Sequence, residues 1–421
     1  MASTYLTRTP SSASNRKTFT ISMWFKRSKV GSANGITLQG VNSGNDDFAI
    51  YFNNTTDSLS IFSWTGASEQ FTLATNRKFR DTSAWYNLVL SVDTTQAISS
   101  NRVKLFINGS QETSFSTANY PSVNSDLVYN STTTLWVGRS YGGIYFDGLM
   151  SHYHSIYGTA YDASYFGSTD SVTGEWKINT SPSVTYGTNG FFILKDGNSV
   201  TDQSGEGNDF TVGGGTLTKT EDCPSNVFAT LNPLIKQGST LSNGNNTSVN
   251  GSSNWMSVAC TLGMQTGKFY YEAKLVSGSS GNLGIIRADS FPSNYETNAL
   301  GNVTGALAMN FADGSVQAAG GSGGTAQGFT VSAGDIVGCA VDATNNKIYW
   351  SKNGVWGNSS NPADGTNATT IASNLTDYKP LLPAISVIDG DTISTNFGNG
   401  YFGTTAVSTA GTNASGNGIF E

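Results

Sequence analysis

The sequence predicts an all-β protein built as two tandem antiparallel β-sandwiches of jelly-roll type. Three observations carry this expectation. Apolar residues recur with period two in one run after another, as at Phe19, Ile21, Met23 and Phe25, the spacing that turns one face of a strand toward a core. The 421 residues include 49 glycines, with 11% aromatic and only 12% charged residues, a composition that suits many short strands joined by turns and not a disordered chain. No segment shows a helical period of similar strength, and the length suits two domains.

Taken in order, residues 1–18 are polar and irregular and read as an arm or an edge segment. Phe19 to Phe25 is the first clear strand, with Thr18, Thr20, Ser22 and Trp24 on its second face. Lys26-Arg27-Ser28-Lys29 is the dense basic patch of the chain and reads as a solvated strand end. Weaker strands are predicted at Gly35–Gln39, Phe48–Asn53 and Leu59–Trp64. WYNLVLSVD (Trp85–Asp93) and RVKLFING (Arg102–Gly109) form a pair in which Tyr86, Leu88 and Leu90 oppose Val103, Leu105 and Ile107. Leu135–Gly138 and Ile144–Met150 close the series, which spans a first domain at 19–165.

Residues 166–237 read as a connector that packs on the first domain. Phe191–Leu194 is apolar enough to dock there, and Pro224 and Pro233 mark a semi-rigid link with the boundary near Asn232. The second domain is predicted at 238–421. Its strands are Leu241–Val249, Met256–Thr261, Gly267–Gly278, Leu283–Ala288, Ala306–Phe311 and two within Leu381–Gly398. At its centre lies GDIVGCAVDATNNKIYWSKNG (Gly334–Gly354): two alternating runs around the turn formers Asp342–Asn346, the pattern of an antiparallel hairpin. The tail ends on Ile419-Phe420-Glu421, an apolar pair of the kind found at a domain edge. It reads as a chain that continues, or as a tail that packs on a neighbour.

Composition also excludes partners and compartments. The net charge is −7, and without an extended Lys/Arg cluster nucleic acid is not expected as a partner. No apolar run of about 18 residues exists, so no membrane insertion is expected. The start, MASTYLTRTPSS, lacks the apolar stretch of a secretion signal, so synthesis in a cytoplasm without general secretion is expected. Cys223, Cys260 and Cys339 are an odd number without a CxxC pair, and neither disulfides nor structural zinc are expected.

Two resemblances follow from ordered motifs. FTISMWFKRS, WYNLVLSVDT, VKLFINGS, LWVGRS and YFDGLMSHYHSIYGTAYDASYF, over Thr18–Tyr165, resemble the laminin-G-like, concanavalin-A-like lectins. Where that family usually carries a carboxylate after Phe-x-Gly, this chain has Ser151 and His152, which weakens a carry-over of a calcium or sugar site to this strand. GKFYYEAKL, the Gly334–Gly354 hairpin and LLPAISV…TNFG, over about Gly238–Phe402, resemble SPRY domains, which bind partners. The tandem, with its FATLNPL link, resembles virion proteins of marine tailed bacteriophages. That resemblance implies a tail or capsid fibre on the virion surface, made in the host cytoplasm and released by lysis. It implies attachment to a host-surface glycan, contacts with other virion proteins and a homo-oligomer.

Chemistry is sparse in the residues. Glycan cleavage on such a sandwich needs two carboxylates on one strand face, roughly 5–10 Å apart, whereas Glu69, Glu112, Glu175, Glu206, Glu272 and Glu296 are isolated in sequence. The expectation is that the chain is not an enzyme. His152 and His154 at i, i+2 would share a strand face that could serve a metal, but read better as two partly exposed strand histidines. The Gly320–Gly324 run has no following Lys and helix, so it is no phosphate loop. No cofactor is expected; the Asn/Asp-rich loops Asn42–Asp47 and Asn358–Asn367 could bind calcium, though turn chemistry accounts for them equally well.

Aromatic residues are the remaining signal, because sugars stack their apolar faces on aromatic rings while polar groups take the hydroxyls. Tyr141, Tyr145, Tyr153, Tyr157, Tyr161 and Tyr165 crowd the end of the first domain. Trp64 and Tyr141, beside turn glycines, are the candidate glycan contacts there, and Asn353 and Trp356 are the candidates in the second domain. The leading expectation is a non-enzymatic attachment protein. The alternatives are a capsid or tail decoration or connector protein that binds other virion proteins, and a glycan depolymerase.

Overall fold

A computed structural model describes residues 3–41, 45–195, 199–290, 298–318, 321–322, 324–377, 380–411 and 416–421. The chain is nearly all β, as the period-two patterning predicts. It divides into two compact units, Met1–Lys219 with Cys223–Val227, and Thr220–Asp222 with Phe228–Glu421.

In the first unit, two antiparallel sheets face each other. One runs, among the described residues, in the order Phe115–Asn119, Ser68–Lys78, Ser58–Thr65, Asp47–Phe52, Asn34–Gly40, Leu135–Val137, Tyr5–Arg8 and Thr211–Gly214. The other runs Phe191–Ile193, Gly148–Tyr157, Thr18–Arg27, Tyr86–Asp93, Val103–Ile107 and Ser110–Gln111. Phe48, Ile50, Phe52, Ile61 and Phe71 of the first meet Phe19, Ile21, Met23, Phe25, Leu88 and Leu90 of the second in one core. The predicted alternation at Phe19–Phe25 thus places its odd-numbered side chains inward. Its other face is buried as well, because Val89, Ile156, Ala163, Phe166, Tyr186 and Phe192 form a further apolar cluster on this sheet.

Within residues 3–18, read as an arm or an edge segment, Tyr5–Arg8 is an interior strand of the sheet. Leu6 pairs with Val137 on one side and with Val212 on the other, and its side chain is buried in the core. The three-residue alternation at Leu6 is too short to stand out from polar neighbours, yet the sheet needs its backbone donors and acceptors paired. The segment 166–237 also departs from a single connector. Phe191–Ile193 pairs with Tyr153–Ser155, and Thr211–Gly214 pairs with Tyr5–Arg8. Leu231–Lys236 belongs to the second unit, where it pairs with Met256–Cys260 as an edge strand, the position in which Pro233 costs no ladder hydrogen bond.

The basic patch is a further correction. Arg27 is 0% exposed and Lys26 is 2% exposed. Arg27 donates to Asp57 Oδ1 at 3.2 Å and to the Phe79 carbonyl at 2.6 Å, and its guanidinium lies 4.4 Å from the centre of the Phe52 ring. Arg80 Nε reaches the other Asp57 oxygen at 2.9 Å. A cation read as a solvated strand end is buried because Asp57, thirty residues on, supplies its counter-charge.

The second unit is a sandwich of the same kind. One sheet runs Leu231–Lys236, Met256–Cys260, Leu381–Val387, Asn282–Arg287, Ala306–Asn310, Val316–Ala318 and Gly321–Ser322 among the described residues. The other runs Thr240–Ser242, Thr247–Val249, Thr392–Asn396, Lys268–Ser277, Ile336–Asp342, Lys347–Lys352 and Val355–Trp356, with Thr369–Thr370 also on Lys347–Lys352. The central hairpin has the register Val337↔Lys352 to Asp342↔Lys347. Val337, Cys339, Val341, Ile348 and Trp350 enter the core with Tyr271, Ala273 and Leu275.

Candidate functional site

Directly paired residues of an antiparallel sheet point to the same face. In the first unit this rule builds a row across the outside of the larger sheet: Thr72 opposite Phe62, Phe62 opposite Ala49, Ala49 opposite Leu38, Leu38 opposite Trp136. A second row sets Glu69 against Trp64 and Trp64 against Asp47. Leu38, Ala49 and Phe62 are buried at the centre, and Tyr51, Trp64, Trp136 and Tyr141 pack around them half-buried.

Tyr141 arrives from outside the sheet. It stands edge-on to Phe62 at 5.7 Å and to Tyr51 at 6.0 Å. The turn that carries it crosses the sheet at Gly35, where a side chain would run into the Ser140 amide and the Ile144 carbonyl. Burial, with Tyr141 alongside, pushes the Tyr51 phenol up, so it stays a neutral donor. The Arg139 guanidinium lies 5.2 Å from the Tyr5 ring, 5.3 Å from Trp136 and 5.9 Å from Tyr145. At the Trp64 end, Glu69 Oε1 accepts from Asn119 Nδ2 at 2.8 Å and Asp46 Oδ1 accepts from the Gly66 amide at 2.7 Å. The result is an aromatic platform with carboxylates and amides at its border, a surface suited to a polyhydroxylated ring.

The structure therefore brings Trp64 and Tyr141 into one cluster, 77 positions apart in sequence. Neither is a freely exposed ring: Trp64 lies on a strand and Tyr141 leans on its neighbours. Phe62, Tyr51 and Trp136, the other members, carry no local signal, since their face is fixed only by pairing. Of the remaining tyrosines, Tyr153 and Tyr157 lie in the core, and Tyr161 and Tyr165 pair at 4.5 Å.

Asn353 and Trp356 flank one turn but make different contacts. Asn353 adopts φ 47 at a turn, donates to Asp335 Oδ1 at 2.8 Å and accepts from the Ile336 amide at 2.9 Å. Its carboxamide closes the central hairpin. Trp356, paired with Ser351, packs edge-on against Tyr270 at 6.3 Å and Tyr349 at 6.4 Å.

The histidines are buried, against the expectation of partial exposure. His152 sits at φ 50, where the register against Thr18–Arg27 shifts between Ser151 and His154. The extra residue is a β-bulge. The His154 ring stacks on Phe192 at 3.9 Å and its Nδ1 meets Tyr186 Oη at 2.8 Å. Burial, with the nearby His152 and Lys195 charges, holds His154 well below the usual imidazole range.

Among the described residues no group of three or more His, Cys, Asp or Glu could hold a metal. Asn42–Gly44, Glu296 and part of the Gly320–Gly324 run lie outside the described residues. In the Asn358–Asn367 loop, Asn361 Nδ2 donates to Asp364 Oδ2 and Asp364 Oδ1 accepts from the Thr366 amide, both at 2.8 Å, which is turn chemistry. Burial raises the thiols of Cys260 and Cys339 to about 12, so neither is a ready nucleophile.

Among the described residues, Glu272 is the carboxylate raised to about 7, chiefly by burial and also by the Glu421 charge. It is 0% exposed. Its Oε1 accepts from Tyr270 Oη at 3.0 Å, and its Oε2 accepts from Asn396 Nδ2 at 3.0 Å and from the Glu421 amide at 3.2 Å. Both oxygens are occupied inside the protein.

Comparison with known proteins places two families on these units. Residues 2–165 match the Laminin_G_3 family, of the concanavalin A-like lectin/glucanases superfamily, and residues 268–400 match the SPRY domain. No curated protein matches the chain. Solved structures similar to it include the SPRY domain of human HERC1 (16% identity, 39% of this chain and 96% of that one, TM-score 0.31). The TRIM65 PSpry domain is similar at 18% identity, over 40% of this chain and 91% of that one, with TM-score 0.29. The native heptameric SAP-like pentraxin of Limulus polyphemus is similar at 13% identity, over 38% and 71% of the two chains, with TM-score 0.28. The chain thus carries a Laminin_G_3, concanavalin A-like domain followed by a SPRY domain.

Proposed function

We propose that this chain is a non-catalytic attachment protein that binds host-surface carbohydrate through the aromatic outer face of its first unit. The observation that carries this reading is the cluster of Tyr51, Phe62, Trp64, Trp136 and Tyr141 on one sheet face. A lectin-type domain followed by a binding-type domain supports a binding role. The burial and full hydrogen bonding of Glu272 support the non-catalytic part of the reading. On this reading, which draws on the sequence resemblance to phage virion proteins, the chain is a tail or capsid appendage of a virion surface, made in the host cytoplasm. There, weak single sites gain avidity from many copies on a symmetric mount.

Binding of the chain to an array of bacterial surface glycans tests this. Expected is selective binding that Trp64→Ala weakens about ten-fold, within the range of a lost stacking contact. Folded protein that binds no glycan, yet is found by mass spectrometry in purified particles, would favour a decoration or connector protein instead. Release of reducing ends from a host polysaccharide would favour a depolymerase.

A further inference from the structure

The outer face of the larger sheet in the second unit is already occupied. Tyr270, Glu272, Tyr349, Ser351 and Asn396 share that face by pairing and alternation, and residues 419–421 lie on it. Ile419 forms a parallel bridge with Asn399 and donates its amide to the Gly398 carbonyl at 2.9 Å. Asn396 Nδ2 donates to the Ile419 carbonyl at 2.8 Å. The Phe420 ring stands edge-on to Tyr270 at 5.1 Å, and the Glu421 amide donates to Glu272 Oε2 at 3.2 Å. Three successive residues therefore dock through one isolated bridge and side-chain partners: backbone groups meet backbone or side-chain groups, and one aromatic ring anchors. These residues lie beyond 268–400, the stretch that matches the SPRY domain. Ile419 and Phe420 are only half-buried and Glu421 is exposed.

The receiving surface is shaped for this guest. Gly338 has no side chain, and a methyl there would strike Tyr270 Oη and Ser351 Oγ. The glycine thus lets the Tyr270 ring lie flat and reach Glu272. Trp356 borders the Tyr270 ring, and Tyr349 in turn borders Trp356. We propose that this face is a receptor for a short extended peptide with an aromatic anchor, and that Ile419-Phe420-Glu421 is its displaceable occupant within the same chain. A second copy of the same segment, offered from another molecule, is the partner that fits it.

Glu272 sits at the centre of the contact: Tyr270 donates to one of its oxygens, and Asn396 and the Glu421 amide of the docked segment donate to the other.

The test uses the full chain and an acetylated, amidated peptide of residues 416–421, followed by NMR shift perturbation. The Phe420→Ala chain, its face vacated, should bind the peptide about ten-fold tighter than the unaltered chain, because no occupant competes. In the unaltered chain, the Ile419 amide should exchange with solvent faster than the amides of Lys268–Ser277. Equal binding to both chains, or none to a folded Phe420→Ala chain, overturns the proposal. Ile419 exchange at the rate of global unfolding overturns displaceability.

Discussion

The indole Nε1 of Trp350 donates to the Leu283 carbonyl at 2.9 Å, tying one sheet of the second unit to the backbone of the sheet that faces it. Tyr271 makes a parallel tie, its hydroxyl donating to the Gly284 carbonyl at 2.7 Å. Both side chains are buried in the core that they cross. A sandwich core of aliphatic contacts tolerates sliding of one sheet over the other; two directional bonds to consecutive carbonyls set the alignment.

Replacing Trp350 by Phe keeps an aromatic ring but removes the indole bond to the Leu283 carbonyl. The loss is expected at about 1–3 kcal/mol, from one lost buried hydrogen bond together with the smaller ring. Chemical denaturation followed by circular dichroism checks it, with the transition of the second unit shifted and that of the first unchanged.

Asp57→Ala removes the counter-charge of the buried Arg27 and of Arg80. Breaking a buried ion pair from one side costs about 3–5 kcal/mol, and the first unit should lose that stability in a denaturant titration. The pH response has a defined sign. Burial opposes ionisation of Asp57, but the Gly31 amide and the two arginines outweigh it and hold the carboxyl below its ordinary value of 3.8. Its contribution is thus present above that value and is lost as pH falls below it, a loss that Asp57→Asn should no longer show.

Glu272→Gln tests the opposite sign. Its carboxyl in the fold is raised from 4.5 to about 7, so ionisation opposes folding. The second unit should be most stable below about pH 4.5 as far as this group decides, and should lose stability as pH rises through 7. At about 1.4 kcal/mol per pKa unit the effect reaches ~3 kcal/mol. Thermal melts between pH 5 and pH 9 should flatten in the Gln variant.

Gly338→Ala places a methyl against Tyr270 Oη and Ser351 Oγ. Overpacking of this kind costs about 1–3 kcal/mol. The Tyr270 ring should tilt away from Phe420, which the ring-current shifts of Phe420 would report by NMR.

The aromatic platform of the first unit separates binding from stability. Trp64→Ala removes a half-buried ring at a strand end and should cost about 1 kcal/mol of stability. Phe62→Ala empties the buried centre of the cluster and should cost about 3 kcal/mol or more. A glycan titration of both variants against their melting curves checks the contrast.

What the sequence by itself determined is local. Period-two alternation marked Phe19–Phe25, Trp85–Asp93, Gly267–Gly278 and the central hairpin, because side-chain direction along a strand depends only on the next residue but one. It also fixed which face of each strand holds the core residues Ile21, Leu88, Tyr271 and Trp350. The tertiary structure alone decided which strands became neighbours, and hence every relationship between distant residues. Tyr5–Arg8 lies between strands about 130 and 200 positions away. Arg27 is buried because Asp57 comes to it. Trp64 and Tyr141 meet on a face that Phe62 and Trp136 complete, and Glu272 is sealed by a segment nearly 150 residues on. Alternation carries no record of the partner across the ladder, so charge compensation and the assembly of a binding face appear only when the sheets close.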